Sequence, residues 1–184
     1  LEDGEECGLM VIAPAHHRRI AAGILSWGQD LDHETSPFQV NLAYQVPRNK
    51  KSDYIGKAEL ERQRDVIDSG EAPFKMKMVG ITLGGKEITD YAPDFWLVAD
   101  TDGNDMGYVT SPWWSPELET NIALAWVPWS SSEIGTKLLV KLPDEYSVTP
   151  GEPVEGEVVD VPFRESVNPN KREVEAAKGK DFAE

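Results

Sequence analysis

The sequence predicts an α+β chain that is mainly β: a helix-bearing N-terminal third followed by a small barrel or sandwich of short strands. Three observations carry this. From Phe74 onward, short runs rich in Val, Ile, Leu and Trp recur at near-regular spacing between turns bearing Gly, Pro or Asp. Upstream, Ile20, Ile24 and Trp27 fall at i, i+4 and i+7, one apolar stripe of a helix. Between the two, Gly56–Ser69 (GKAELERQRDVIDS) reads as a charged surface helix with Gly70 as its stop.

In chain order, residues 1–7 are acidic, and Gly8–Ala13 (GLMVIA) reads as a buried strand. Pro14 suits the first turn of the following helix, which should end at Gly28. Gly23 lies inside that stripe at a cost of roughly 1 kcal/mol relative to alanine, so something should approach closely there. Phe38–Val46 (FQVNLAYQV) nearly alternates and is expected as a strand, and Ser52 or Asp53 as the cap of the charged helix. The strands expected next are Phe74–Thr82, Phe95–Ala99, Asp105–Ser111, Asn121–Val127, Lys137–Leu142 and Val154–Val161. Gly84-Gly85 and Asp102-Gly103 read as hairpin turns, and Ser111–Pro116 as a rigid turn carrying Trp113 and Trp114. Asn168–Glu184 is polar and charged, a frayed tail or an exposed helix. The expected units are therefore 1–73, 74–165 and a polar tail over 166–184.

Composition excludes several functions. With 33 acidic against 18 basic residues, the formal charge is −15, which argues against a nucleic-acid binder. No apolar run approaches the roughly 18 residues of a membrane span, so no membrane partner is expected. Cys7 is the sole cysteine, which fits a reducing, cytoplasmic compartment. His16, His17 and Cys7 lack metal-ligand spacing, and Asp100–Asp105 lacks the glycine placement and final glutamate of a calcium loop, so no metal is expected. Trp113 and Trp114 offer either a plug for the end of a barrel or an aromatic wall for a flat ligand. Arg48, Lys50 and Lys51 form a basic cluster that is either a solvated turn or a catch for an anionic group.

Several segments together resemble the C-terminal half of the glycine-cleavage T-protein family, which includes dimethylsulfoniopropionate demethylase. Arg18–Pro37 (RRIAAGILSWGQDLDHETSP) is similar to the family's series of an arginine, "LEAG", "YGND" and "TTP". Asp53–Leu60 (DYIGKAEL) resembles "DFIGKEAL", and Met106–Pro128 resembles "IGxVTSGxxSPxLxxNIALAYV". Gly135-Thr136 and Val158–Phe163 match the closing "GT" and "VxxLPF". The shared order and spacing of these segments make the resemblance, which runs from about residue 8 to 165.

The resemblance implies that residues 1–73 are the last part of a folate-binding domain and that 74–165 are a Greek-key-like β-barrel. It implies tetrahydrofolate as cofactor and a small-molecule one-carbon donor as substrate. The function it implies is methyl or aminomethyl transfer. The altered ligand residues and the acidic chain incline the reading to a demethylase over glycine cleavage proper. A non-catalytic binding or assembly module is the alternative. The carboxylate that the family sets beside the folate nitrogen falls outside this chain, so no catalytic residue is expected within it. The expected partner is the family's N-terminal half, in the same protein or as a separate chain. Carried over position by position, the folate contacts are Trp27 for the aromatic of "YG" and Lys50 for the basic residue at the glutamate tail. Trp113 and Trp114 stand in the "TSGxxSP" segment, and Gln39 follows "TTP" where the family has an acid. Ala21 replaces the "LEAG" glutamate, which hydrogen-bonds the pterin.

Overall fold

The computed structural model describes residues 4, 7–9, 15–48, 50–92 and 94–163. Most of the strand expected over 8–13, Pro14 and the tail over 166–184 lie outside the described residues. Six strands close into an antiparallel barrel: β1 (Met76–Leu83), β2 (Trp96–Ala99), β3 (Asp105–Ser115), β4 (Thr120–Pro128), β5 (Lys137–Val140) and β6 (Val154–Val159). The spatial order β1-β4-β3-β2-β5-β6 contains a Greek key. Three consecutive strands, β2 to β4, run side by side, and the long β1–β2 connection brings β1 beside β4. Gly84-Gly85 therefore opens a crossover and not the expected hairpin, since β1 pairs with β4 and β6. Asp102-Gly103 does turn a hairpin between β2 and β3, with Gly103 at φ +88°.

The chain builds two apolar clusters on opposite faces of one sheet. Val79, Ile81, Ala123, Ala125 and Val127 fill the barrel with residues from the other strands. The alternate residues Met78, Ile122, Leu124 and Trp126 pack outside it against Ile20, Ala21 and Val40. Strand side chains alternate between faces, so a strand covered on both sides must be apolar throughout. That is why β4 reads NIALAWV without a polar break after Asn121, and why seven consecutive residues of it are buried.

The covering segment departs from expectation. The first of the helices bounded within the described residues, α1, is short, His16–Ala21, and ends at Gly23 instead of Gly28. Gly23 adopts φ +68°, and a Cβ there would sit 2.8 Å from Val161 Cγ1, so the close approach expected of this glycine is real. Gly28 also has positive φ, +80°, but serves a separate turn after Trp27. Phe38–Val46 is not a strand; it forms turns and a 3₁₀ segment over Ala43–Gln45. Its near-alternation serves packing: Phe38 and Val40 are buried while Gln39 and Asn41 bond to the start of β1. The second helix, α2 (Lys57–Asp68), is capped by the backbone of Gly56 and by neither Ser52 nor Asp53. Gln63, the buried residue of α2, accepts from Ser36 Oγ at 2.6 Å and fastens the helix to the 36–39 turn. Ser111–Ser115 is not a turn; β3 continues through it, pairing Trp113 with Ile122.

Candidate functional site

Asp30 is the centre of the best-built polar cluster. It follows the turn at Gly28 and is 1% exposed. Its Oδ2 accepts from Arg19 Nη1 at 2.8 Å and from the Ser26 amide at 2.7 Å. Its Oδ1 accepts from Thr110 Oγ1 and Ser111 Oγ, both at 2.6 Å. Its carbonyl accepts from Trp126 Nε1 at 2.9 Å. Arg19 completes a ring by donating to Ser111 Oγ at 2.8 Å. Among the described residues no buried side-chain nitrogen or oxygen lacks a partner.

A fault in the β3–β4 ladder makes this possible. Val109 pairs with Ala125 and Ser111 with Leu124, leaving Thr110 as an extra residue. In a regular strand Thr110 and Ser111 would point to opposite faces; the bulge aims both hydroxyls at one carboxyl oxygen. The Thr110 carbonyl, freed from the ladder, accepts from Gln29 Nε2 at 2.7 Å. Residues 16–31 are thereby locked to the barrel by polar contacts, beside the apolar ones of Ile20 and Ala21.

Two hollows flank the lock. One, about 620 Å³, is lined by Ala15, His16, Arg19, Ile24, Gln29 and Tyr91, among others. An aromatic cluster borders it: His16 lies 4.5 Å from Tyr91 and 4.9 Å from Trp113, centroid to centroid. Burial, then the Arg19 charge, lowers the His16 pKa to about 4. The ring is therefore neutral near pH 7, which suits accepting from Arg19 Nε at 3.3 Å. The second hollow, about 380 Å³, lies over the Gly28–Asp32 turn, with Gln39, Tyr108, Phe95 and Trp126 in its lining. Phe95 stacks on Tyr108 at 5.3 Å, and burial, then the Asp32 charge, raises the Tyr108 pKa.

The residues expected at a folate site scatter across this surface. Trp113 joins the aromatic cluster at the first hollow. Gln39 lines the second, with its amide held by the Ser36 amide and the Met76 carbonyl. Trp27 is 68% exposed on the turn between them. Trp114 is half-buried on β3 and donates its amide to the Ile88 carbonyl. Lys50 is exposed, 4.7 Å from the Tyr54 ring. Ala21 is buried in the outer apolar cluster with Ile20 and Met78. Sequence reasoning missed Asp30, Thr110, Ser111 and Gln29. The one available signal was their place in the segments that carried the family resemblance.

Comparison with known proteins gives consistent results. Residues 76–164 match the glycine cleavage T-protein C-terminal barrel domain. An aminomethyltransferase of a Synechococcus species is 34% identical over 67% of this chain and 31% of its own length. That of Oceanobacillus iheyensis is 34% identical over 77% of this chain and 36% of its own. The chain thus spans about a third of the length of the curated relatives it matches. The crystal structure of glycine cleavage system aminomethyltransferase T from Bartonella henselae shares the fold, with a TM-score of 0.62 at 24% identity. That match covers 82% of this chain and 38% of the other.

Proposed function

Because the chain belongs to the glycine-cleavage T-protein family and corresponds to its C-terminal part, we propose that it is part of a tetrahydrofolate-dependent one-carbon transferase. Residues 1–73 serve as the last part of the folate-binding domain and the barrel as its lid. The rest of the protein, or a separate chain, supplies the first part and the carboxylate that assists proton transfer. Aminomethyl transfer is the first reading, since the curated relatives are aminomethyltransferases. Demethylation of a small methylated donor is the second; it is favoured by Ala21 and Gln39, where the resemblance expects acids.

The observation that supports this reading is the Arg19–Asp30–Ser111 ring, which fixes α1 beside a hollow with one aromatic side. The residues present fit a flat, nitrogen-rich ring. His16 and Tyr91 provide the aromatic face, with Trp113 packed against both, and Gln29 and Arg19 add polar groups to the lining. Tetrahydrofolate, when bound, supplies the nitrogen that accepts the one-carbon unit. The role of this chain is to orient and to exclude water, so that reaction depends on proximity and not on an acid or base of its own. Ala21 offers no hydrogen bond to the ring and sits in apolar packing, so pterin selection falls to other contacts.

The test is transfer by the complete protein, following methylene- or methyl-tetrahydrofolate formed from an aminomethyl donor or a methylated donor. Product from the aminomethyl donor supports the first reading, and product from the methylated donor the second. Absence of tetrahydrofolate binding by the complete protein overturns both and leaves a binding or assembly module.

A further inference from the structure

We propose that the hollow between the 38–48 turn, α2 and the start of β1 binds an organic carboxylate, with the Lys77 ammonium as its counter-charge and Arg64 as a second donor. This hollow shares no lining residue with the one bordered by His16 and Tyr91, and the proposal does not rest on the folate reading. Its volume, about 560 Å³, falls within the roughly 300–1,000 Å³ usual for small-molecule sites. Phe38, Tyr44, Val46 and Ile67 give it an apolar lining, and Arg48, Arg64, Lys77 and Asp68 its charges.

Counting commitments singles out Lys77. Arg48 is bound twice to Asp68, at 2.6 and 2.9 Å, so that pair is closed. Arg64 donates to the Val46 carbonyl, and its guanidinium lies 5.3 Å from the Phe38 ring centroid. Among the described residues no carboxylate bonds to it. Lys77 likewise has no hydrogen-bond or carboxylate partner among the described residues; its neighbour is the Trp129 ring, 5.1 Å from Nζ. Lys77 is half-buried, and burial lowers its pKa with no nearby charge opposing the shift. Among the described residues this partly desolvated ammonium stands without a carboxylate. Burying an uncompensated charge is costly, and a bound anion removes the cost.

The same count selects the anion. Arg48 and Asp68 cancel, which leaves the Lys77 and Arg64 charges to be met by an acid. The apolar lining asks for a hydrocarbon or aromatic body behind the charged group. The rim is preformed: Asn41 holds φ +60° and donates Nδ2 to the Met78 carbonyl at 3.0 Å.

The experiment is calorimetric titration of the intact protein with 3-phenylpropionate, with its neutral amide as control, followed by NMR of the lysine Nζ and Cε. Saturable binding of the acid but not the amide is expected, with the Lys77 pKa rising on binding. Lys77→Met should weaken binding about tenfold or more, while Lys77→Arg retains most of it. Lys75→Met, an exposed lysine on the same stretch, should change nothing and reports on fold integrity. Equal binding of acid and amide, equal binding by Lys77→Met, or no binding of the acid overturns the proposal.

Discussion

Thr110, standing outside the strand ladder, donates its hydroxyl to Asp30 Oδ1 at 2.6 Å across a sequence separation of 80 residues. Ser111 donates to the same oxygen at the same distance, and Arg19 takes the other oxygen. Removing the carboxyl leaves the largely buried Arg19 guanidinium without its counter-charge and two buried hydroxyls without their shared acceptor oxygen. Asp30→Ala is therefore expected to cost about 3–5 kcal/mol, the range for breaking a buried pair from one side. Thr110→Val alone should cost roughly 1.5–3 kcal/mol, the loss of a bond to a charged group. In the double variant the second change should add little. Urea denaturation of the four proteins measures the coupling; additive losses would show that Thr110 and Asp30 do not act as a unit.

The barrel was legible because its strands carry their own signal. Asn121–Val127, between two cores, runs apolar, and Phe74–Thr82 keeps its alternation although Met78 and Val79 face different cores, so both stand out near their true bounds. The N-terminal third was harder for a physical reason. Its apolar residues, Ile20, Val40 and Leu25 among them, are spaced to match a sheet already folded elsewhere, and not to complete a helix or strand of their own. Phe38–Val46 imitated a strand because alternate residues pack down and bond outward along a turn. The Asp30 lock was invisible because a bulge leaves no local mark: Val109-Thr110-Ser111 reads as an ordinary strand until its partner is known. Trp113 and Trp114, flanked by prolines as a turn would be, lie within β3, where Pro112 still pairs in register with Ala123.

Gly23 and Gly28 separate two costs that usually occur together. Both have positive φ, +68° and +80°, but a Cβ on Gly28 meets nothing within 4 Å, whereas one on Gly23 meets Val161 Cγ1 at 2.8 Å. Gly28→Ala should cost only the left-handed strain, about 1 kcal/mol. Gly23→Ala should cost that and more, because Val161 belongs to the segment packed under α1. Thermal denaturation of the two variants compares them directly. A Gly28→Ala loss equal to or above that of Gly23→Ala would remove the claim that close approach fixes Gly23.

His16 gives a pH dependence with a definite sign. Its pKa falls from 6.5 to about 4 on folding, so the unfolded chain binds the proton more readily. Its contribution is complete above pH 6.5 and is lost as pH falls toward about 4. The carboxylates lowered by their own partners, Glu59 from 4.5 to about 2 for example, act mainly below this window. The stability difference between the wild type and His16→Gln should therefore shrink between pH 6.5 and 4.5, measured by urea midpoints. A difference that stays constant with pH would mean that the ring is not held neutral by its burial against Arg19.

Asn121 is the corresponding lock on the far end of β4. It is 1% exposed; its Oδ1 accepts from the Ile88 amide at 3.1 Å, and its Nδ2 donates to the Lys86 and Gly84 carbonyls at 2.9 and 3.2 Å. One side chain thus satisfies three backbone groups of the crossover that carries the chain from β1 to β2. No carboxylate or hydrocarbon can repeat this, since the site needs one acceptor and two donors together. Asn121→Ala leaves the buried Ile88 amide unpaired while water reaches the carbonyls of the exposed residues Gly84 and Lys86, so it should cost about 1–3 kcal/mol. Asn121→Asp keeps the bond to Ile88 but sets a carboxylate against two carbonyl oxygens, so it should be no better than alanine. Hydrogen exchange at the Ile88 amide distinguishes the variants: protection lost in Asn121→Ala and partly kept in Asn121→Asp is the expected pattern. Equal protection in the wild type and Asn121→Ala would show that the crossover is held by the fold around it and not by this residue.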